Sequence, residues 1–313
     1  MSNEFKDKII SKDDVIDLSE FFNVIWHGKT SIIVITVAFA IFSVFYSLSL
    51  TNFYMSEALL VNTASSNDRN NISALNGLAS IAGINLPSSG QGKTRIVMGT
   101  LKSRAFVKHL IQFDDILPSL MAAKSYNPET KALFFDTELY DPIDKVWLKE
   151  KNSDQSVMPS YLDAYEEFNN RVIVEQDKVS SLISIQVEHI SPIFAKDFLE
   201  LIIGELNELL RQQDLQESSD AIDFLTSQIP KSSLISMKDS INQLVKSRLE
   251  MQMMAKITTE YALKIIEPPF TPEKKFKPRR SIICIIGTLL GGVFAVFWIL
   301  FRYYILGNLK LTN

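Results

Sequence analysis

Two long stretches without a charged residue lie near the two ends of this chain and limit what it can fold into. Residues 31–50 and 281–301 each contain about 20 mostly apolar side chains. Arg280 and Arg302 bound the second stretch, and nothing charged interrupts either one. A helix of this length crosses the roughly 30 Å hydrocarbon core of a bilayer. We therefore predict two transmembrane helices.

Two other interpretations of these stretches fit less well. A buried helix of a soluble protein rarely stays uncharged over such a length, and this chain would need one near each end. A cleaved signal peptide starts close to the N-terminus, after a short basic segment. The first stretch instead follows about 30 residues that include six acidic side chains, which are Glu4, Asp7, Asp13, Asp14, Asp17 and Glu20.

Two spans place both tails, residues 1–30 and 302–313, on one side of the membrane and residues 51–280 on the other. The cations of the tails favour the cytoplasm, but a denser basic cluster at residues 274–280 lies on the opposite flank of the second span. A loop of about 230 residues translocates largely regardless of such charges. We expect cytoplasmic tails and an external domain. The cations of the tails agree with this orientation, and the basic cluster at residues 274–280 conflicts with it.

Composition excludes several classes of protein. The chain has 313 residues, a single Cys, and 32 Lys+Arg against 36 Asp+Glu, which gives a formal net charge of −4. One Cys excludes an internal disulfide framework and a cysteine-based zinc site. A mildly negative chain has no general attraction to nucleic acid. We predict a membrane protein without a nucleic-acid partner.

The segment between the spans alternates strand and helix patterns and is long enough to bury a core. Residues 54–61 and 182–187 are predicted as strands, and the second alternates apolar and polar side chains as a half-buried strand does. Residues 171–174 predict a further strand, whereas residues 75–81 and 101–113 predict helices. We expect an α+β domain.

Helical patterns dominate the later part of this domain. A helix predicted from Pro192 to Gln228 would be about 50 Å long at 1.5 Å per residue, and Pro230 ends it. A second helical run follows, so the predicted helical region covers about residues 192–266. Helices this long suit a protruding arm. Their apolar faces would pack within the chain or against neighbouring subunits, and the sequence favours neither.

No catalytic, metal or cofactor site is predicted. Gly90-Gln-Gly-Lys-Thr94 resembles the end of a phosphate-binding loop, but Pro87 stands where the earlier glycine is required and lacks the donor N–H. We expect a surface loop there. No carboxylate pair has a recognisable acid–base arrangement. The three His residues lie far apart, at His27, His109 and His189. The chain is therefore predicted not to be an enzyme.

The predicted spans carry faces of small residues. Gly287 and Gly291 in the second span stand four positions apart, as do Ser43 and Ser47 in the first. Small residues at this spacing let helices approach closely in lipid, where no hydrophobic force drives them together. Glycine is also common in membrane helices for other reasons, and that alternative stays open. We predict helix packing through these four residues.

A proline-rich segment precedes the second span. Proline fixes φ and removes a backbone donor, so this segment should be extended and stiff. It would transmit orientation from the domain to the membrane, and its cations would lie on anionic headgroups. A solvated linker is the alternative. The residues singled out here are Pro268, Pro269, Pro272, Pro278, Arg279 and Arg280.

Three segments resemble the Wzz family of chain length determinants, the polysaccharide co-polymerases. They are Asp17-Leu-Ser-Glu-Phe-Phe-Asn-Val-Ile-Trp-His-Gly-Lys29 with the Tyr54 strand, the run from Leu182 to Arg211, and Tyr261-Ala-Leu-Lys-Ile-Ile-Glu-Pro-Pro269 leading to Pro278-Arg-Arg280. The order of elements is similar along nearly the whole chain, although residues 115–170 show little similarity.

This resemblance implies an inner-membrane protein of a Gram-negative bacterium with a periplasmic α+β domain, a long projecting helix and ring-like homo-oligomers. The implied role is control of the number of repeat units that a separate polymerase adds to O-antigen or a related polysaccharide. The implied partners are the polymerase, lipid-linked polysaccharide, the membrane and further copies of the chain.

Related adaptors of capsule and exopolysaccharide export share the ends of this pattern and work with a separate tyrosine kinase. They are the main alternative, and neighbouring genes would discriminate between the two. A two-span receptor is disfavoured because tails of about 30 and 12 residues hold no output module. We predict a non-enzymatic regulator of chain length in lipopolysaccharide biosynthesis.

Overall fold

The computed structural model describes Trp26 and residues 28–63, 89–148, 158–177, 179–230 and 235–308. The chain divides into two compact units. The first comprises Met1–Thr51 and Lys277–Asn313, and the second is Asn52–Phe276. The helix predicted at residues 75–81 lies outside the described residues.

The described helices are α1 (Lys29–Ser49), α2 (Ser89–Leu101), α3 (Arg104–Leu110), α4 (Ile116–Met121), α5 (Tyr161–Arg171), α6 (Pro192–Gln228), α7 (Ile235–Ile257) and α8 (Arg280–Asn308). The described strands are β1 (Tyr54–Asn62), β2 (Ala123–Asn127), β3 (Ala132–Phe135), β4 (Tyr140–Asp141), β5 (Val146–Trp147), β6 (Val172–Gln176), β7 (Ile183–His189) and β8 (Leu263–Glu267). The prediction of mixed helix and strand is confirmed.

A four-stranded antiparallel sheet organises the second unit, with strand order β6-β7-β1-β8. Alternate residues of β1 and β7 are buried, and the pair Ala58 and Ile185 lies directly opposite in the register. Helix α6 packs against both strands. Its buried side chains complete the core of this unit and include Phe198, Leu199, Ile202, Ile203 and Leu206.

Capping residues explain where two of these helices begin. The Ser191 hydroxyl accepts a hydrogen bond from the Phe194 N–H, and Pro192 occupies the first helical position, where a missing N–H costs nothing. At α5, the Ser160 hydroxyl accepts from the Asp163 N–H while the Asp163 carboxylate accepts from the Ser160 N–H. Each helix therefore starts with its first backbone donors satisfied.

The predicted helical region at residues 192–266 needs correction at its end. Helix α6 stops at Gln228, before Pro230, and α7 packs against α6 but stops at Ile257. The chain then turns, and Leu263–Glu267 forms strand β8 against β1. The open edge of β1 has backbone groups that need hydrogen-bonding partners, and strand β8 supplies them. A helix at residues 263–267 would leave those groups of β1 unpaired, so tertiary context overrides the local helical pattern.

Two smaller predictions also differ from the structure. Residues 101–113 form no single helix, because α2 ends at Leu101 and Ser103 caps the separate helix α3. The segment Gly90–Thr94, expected to be a surface loop, lies in the first turns of α2. The apolar residues after it explain this, since Val97 and Leu101 are buried in the core and extend the helical pattern backwards.

Candidate functional site

Helices α1 and α8 pack against each other along the predicted small-residue faces. A Cβ added at Gly287 would lie 2.5 Å from the Ser43 Cβ, and one added at Gly291 would collide with the Phe39 side chain. Ser47, four positions after Ser43 on α1, is also buried, with 1% exposure. The structure thus places Gly287 and Gly291 against Ser43 and Phe39 of the same chain, so these glycine faces are already occupied within the monomer.

The burial pattern of α1 is the reverse of that of a soluble core helix. Its buried residues are Ser43 and Ser47, whereas large apolar side chains face outward, with Val34, Phe42 and Phe45 between 67% and 70% exposed. Both α1 and α8 are long and apolar enough to cross a membrane. Small residues inside and large apolar residues outside are typical of helices that pack in lipid.

The proline-rich segment lies beside the start of β1 in the second unit. The Ser56 hydroxyl donates to the Phe270 carbonyl at 2.7 Å, and the Phe276 N–H donates to the Phe53 carbonyl at 2.8 Å. Pro269 and Pro272 are buried, Pro268 is exposed and Pro278 is half-buried. Arg279 is exposed and Arg280 begins α8. Up to Phe276, the chain is therefore held against the domain.

The edge strand β8 is fastened to α6 by one buried side chain. The Asn207 Oδ1 accepts hydrogen bonds from the Ala262 N–H at 2.9 Å and the Leu263 N–H at 2.8 Å, and its Nδ2 donates to the Leu263 carbonyl at 3.1 Å. An edge strand leaves one row of backbone groups unpaired. The Asn207 amide satisfies part of that row, as a further strand would.

A second contact fixes the turn between α7 and β8. The Tyr261 hydroxyl donates to Asp214 Oδ2 of α6 at 2.6 Å. Burial, together with the Asp214 carboxylate, raises the pKa of Tyr261 above its usual value, so the phenol stays a donor. The Thr63 hydroxyl also donates to the Tyr261 and Ala262 carbonyls. The approach to β8 is therefore held at several points.

His189 joins β7, α4 and the start of α6. Its Nδ1 accepts from the Ser191 N–H at 3.0 Å, so Nε2 carries the proton and donates to the Ser119 carbonyl at 2.9 Å. Its ring packs on Phe194, with centroids 4.3 Å apart. Burial lowers the pKa of His189 to about 4, because a charged imidazolium would lose its hydration. This histidine is a neutral packing residue.

One residue of the segment that resembles a phosphate-binding loop, Thr94, has a structural partner. The Thr94 hydroxyl is buried and accepts from Asn62 Nδ2 at 3.0 Å. His109 Nε2 lies 2.7 Å from a Glu205 carboxylate oxygen on α6. His27 lies outside the described residues. No group of three or more metal-binding side chains occurs in the described parts of the chain.

The N-terminal third of the chain is similar to a known protein family. Residues 14–112 match the Wzz family, described as "Chain length determinant protein". The predicted resemblance to the Wzz family is confirmed. The Wzz match includes the first predicted span, β1, α2 and α3. No curated protein matches the chain.

Two solved structures are similar to the chain. A "full-length bacterial polysaccharide co-polymerase" shows 13% identity and a TM-score of 0.41, with 96% of this chain and 99% of that chain covered. A "Fragment of WzzB, Polysaccharide Co-polymerase from Salmonella Typhimurium" shows 10% identity and a TM-score of 0.32, with 72% of this chain and 100% of that chain covered.

Sequence reasoning did not find the roles of Asn207 and His189. In the sequence, Asn207 is singled out only as part of the segment that resembles the Wzz family. The signal was nevertheless present, because Asn207 lies between Ile203 and Leu210 on the apolar face of α6. A polar side chain within a buried stripe needs a hydrogen-bonding partner. The partner itself, the backbone of β8, lies 56 residues further along the chain.

Proposed function

We propose that this chain is a non-enzymatic regulator of polysaccharide chain length, which sets the modal number of repeat units in O-antigen made by a separate polymerase. The observation that carries the proposal is the match of residues 14–112 to the chain length determinant family. The growing, lipid-linked polysaccharide and the polymerase are its proposed partners. The chain acts by binding and positioning, and supplies no reacting group.

The proposed location is the inner membrane of a Gram-negative bacterium, with α1 and α8 as spans and Asn52–Phe276 in the periplasm. The support is the pair of long apolar helices that flank this unit in the sequence. A body tethered by two spans stays beside the membrane, where a lipid-linked polymer is extended. The tails at residues 1–30 and 302–313 are proposed to be cytoplasmic.

Self-association into a ring is proposed through the long helices. Their exposed apolar side chains include Phe224 at 64%, Met253 at 65% and Ile257 at 76% exposure. Large apolar side chains left in water on neighbouring helices indicate an interaction surface. The α6–α7 contact within one chain leaves them uncovered.

Charge complementarity supports the same arrangement. Helix α6 carries eight carboxylates against two cations, which are Lys196 and Arg211. Helix α7 carries four cations against two carboxylates, which are Asp239 and Glu250. An acidic surface on one copy that meets a basic surface on the next makes a head-to-tail contact. Repeated head-to-tail contacts form a ring when the rotation from one copy to the next closes.

Deletion of the gene tests the proposal against its main alternative. A length regulator should leave the amount of polysaccharide nearly unchanged while its length distribution, resolved on a gel, becomes broad and loses its mode. An adaptor that works with a kinase for export should instead reduce the amount of polymer at the surface. Unchanged modal length with less polymer would replace the proposal by the adaptor function.

Reporter fusions test the proposed topology separately. Alkaline phosphatase joined after Trp147 should be active, because the enzyme folds only in the oxidising periplasm, whereas the same reporter at the C-terminus should be inactive. Green fluorescent protein at the two positions should give the opposite result. An inactive phosphatase at position 147 would place the domain in the cytoplasm and contradict the proposed location.

A further inference from the structure

Five cations occur within the seven residues at positions 274–280, immediately before the apolar part of α8. They are Lys274, Lys275, Lys277, Arg279 and Arg280. The side chains of the first four are exposed. Within the described parts of the chain, no ion pair neutralises Lys274, Lys275 or Arg279. The segment therefore carries a dense and accessible positive charge.

These cations do not stabilise the helix that follows them. Cations are favourable near the C-terminus of a helix, where the backbone carries partial negative charge, and unfavourable near the N-terminus. Arg280 is nevertheless the first residue of α8, and no acidic residue lies in its first turn. The cluster thus places positive charge at the N-terminus of α8, where it destabilises the helix.

The position of the cluster in the chain indicates which anion it would meet. An uncharged stretch from Ser281 to Phe301 follows directly, and it is long enough to cross the hydrocarbon core. The cations therefore coincide with the depth at which lipid phosphates lie. Pro272, just before the cluster, is buried, and Phe276, within it, is hydrogen-bonded to Phe53. The backbone of the first part of the cluster is therefore held in place by the domain.

We propose that residues 274–280 form a binding surface for anionic phospholipid headgroups at the domain-side boundary of the second span. The lysines supply mobile point charges, and the arginine guanidinium supplies a planar pair of donors that fits a phosphate group. The headgroup charge then fixes the depth of α8 in the bilayer. This surface depends on α8 being a span, and not on control of polymer length.

The surface also accounts for the conflict in the charge pattern. Lys and Arg are normally concentrated on the cytoplasmic side of a membrane protein, where the tails of this chain are expected. The densest basic cluster of this chain nevertheless lies on the flank of the second span that faces the domain. A requirement for lipid binding explains why these cations are kept there. The length of the loop allows this, because a loop of about 230 residues translocates despite its charges.

The test measures which lipids surround the full-length chain in reconstituted vesicles. Spin-labelled phosphatidylglycerol and spin-labelled phosphatidylcholine are compared, and the ratio of their association constants gives the preference for the anionic lipid. K274Q/K275Q/K277Q/R279Q should lower this preference at least about fivefold, the effect of a single cation near a charged surface. The control R95Q/K102Q/K131Q/K264Q removes the same charge from exposed sites on the domain outside α6 and α7 and should leave the preference unchanged.

Two additional arms keep the result interpretable. The separate pairs K274Q/K275Q and K277Q/R279Q should each give part of the effect, and they serve if the fourfold variant does not fold. Raising salt to 1 M, where charges act over only about 3 Å, should reduce the preference in the wild type. A preference unchanged in both pairs would overturn the proposal. Inorganic phosphate that abolishes the preference more strongly than chloride of equal ionic strength would also overturn it, by showing a site for free phosphate.

Discussion

Replacing Asn207 by Leu should destabilise the domain strongly, although the two side chains are close in size. Leucine fills the same space but leaves the N–H and the carbonyl of Leu263 without partners, and Leu263 is fully buried. Each unpaired buried group costs about 1–3 kcal/mol. Ala262 is half-buried, so water compensates for part of its lost bond. The expected net loss is about 3 kcal/mol, which is about 6–12 °C in Tm for a domain of this size.

The assay is thermal unfolding of the full-length chain in detergent, followed by far-ultraviolet circular dichroism. Asn169→Leu is the matched control, because the Asn169 amide makes one exposed hydrogen bond to the Tyr165 carbonyl on α5. That change should cost no more than about 0.5 kcal/mol. If N207L melts within about 2 °C of N169L, the amide makes no net contribution and the proposed fastening of β8 is refuted.

Asn207→Asp keeps the hydrogen-bond acceptor of the Asn207 contact and removes its donor. The carboxylate still accepts from the Ala262 and Leu263 N–H groups, but it has no proton to donate to the Leu263 carbonyl. Two oxygen atoms would then face each other in a buried position. N207D should therefore also be destabilised, and lowering the pH should restore part of its stability, because a protonated Asp can donate to that carbonyl. Equal stability of N207D and the wild type at neutral pH would contradict the assigned donor.

Three further predictions concern other parts of the molecule. His189 takes up a proton near pH 6.5 in the unfolded chain but only near pH 4 in the folded chain. The free energy of unfolding should therefore fall by about 3 kcal/mol as the pH is lowered from 6.5 to 4, and this group should cause no further loss below pH 4. H189Q should remove this decrease, as measured by denaturant titrations at each pH. Gly287→Leu and Gly291→Leu should separate the two apolar helices and lower Tm in detergent, because each new side chain collides with α1, whereas Gly292→Leu, which faces only the Thr36 hydroxyl at 3.8 Å, should be tolerated. Tyr261→Phe should lower Tm by a few degrees, about 1–1.5 kcal/mol for one lost hydrogen bond. An unchanged Tm in Tyr261→Phe, an unchanged pH profile in H189Q or an unchanged Tm in both glycine variants would each refute the corresponding assignment.

Elements whose pattern follows from their own residues were predictable from the sequence. The two apolar helices depend on length and lack of charge alone, and they begin within two residues of their predicted starts. Strand β7 shows its alternation openly, with Ile183, Ile185 and Val187 buried. The start of α6 at Pro192 and its end before Pro230 follow from the conformational limits of proline. These signals are local, so no knowledge of the fold is needed.

Elements that depend on distant partners were not predictable in the same way. Strand β8 follows a helical pattern, and becomes a strand because the edge of β1 is available to it. Helix α2 includes residues that looked like a loop, because its later residues enter the core. The Asn207 contact joins positions 56 residues apart. The pairing of Gly287 with Ser43 was also beyond reach, since the sequence shows which faces are small but not which helix they meet.

Complementation of the deletion strain is the most direct test of control of polymer length by this chain. Lipopolysaccharide from this strain, with an empty vector or with the wild-type chain, is separated on a gel, and the band intensities give the distribution of repeat numbers. We expect a broad distribution with the empty vector and a restored, narrow mode with the chain, at equal total polymer. An identical distribution in both strains would contradict this expectation.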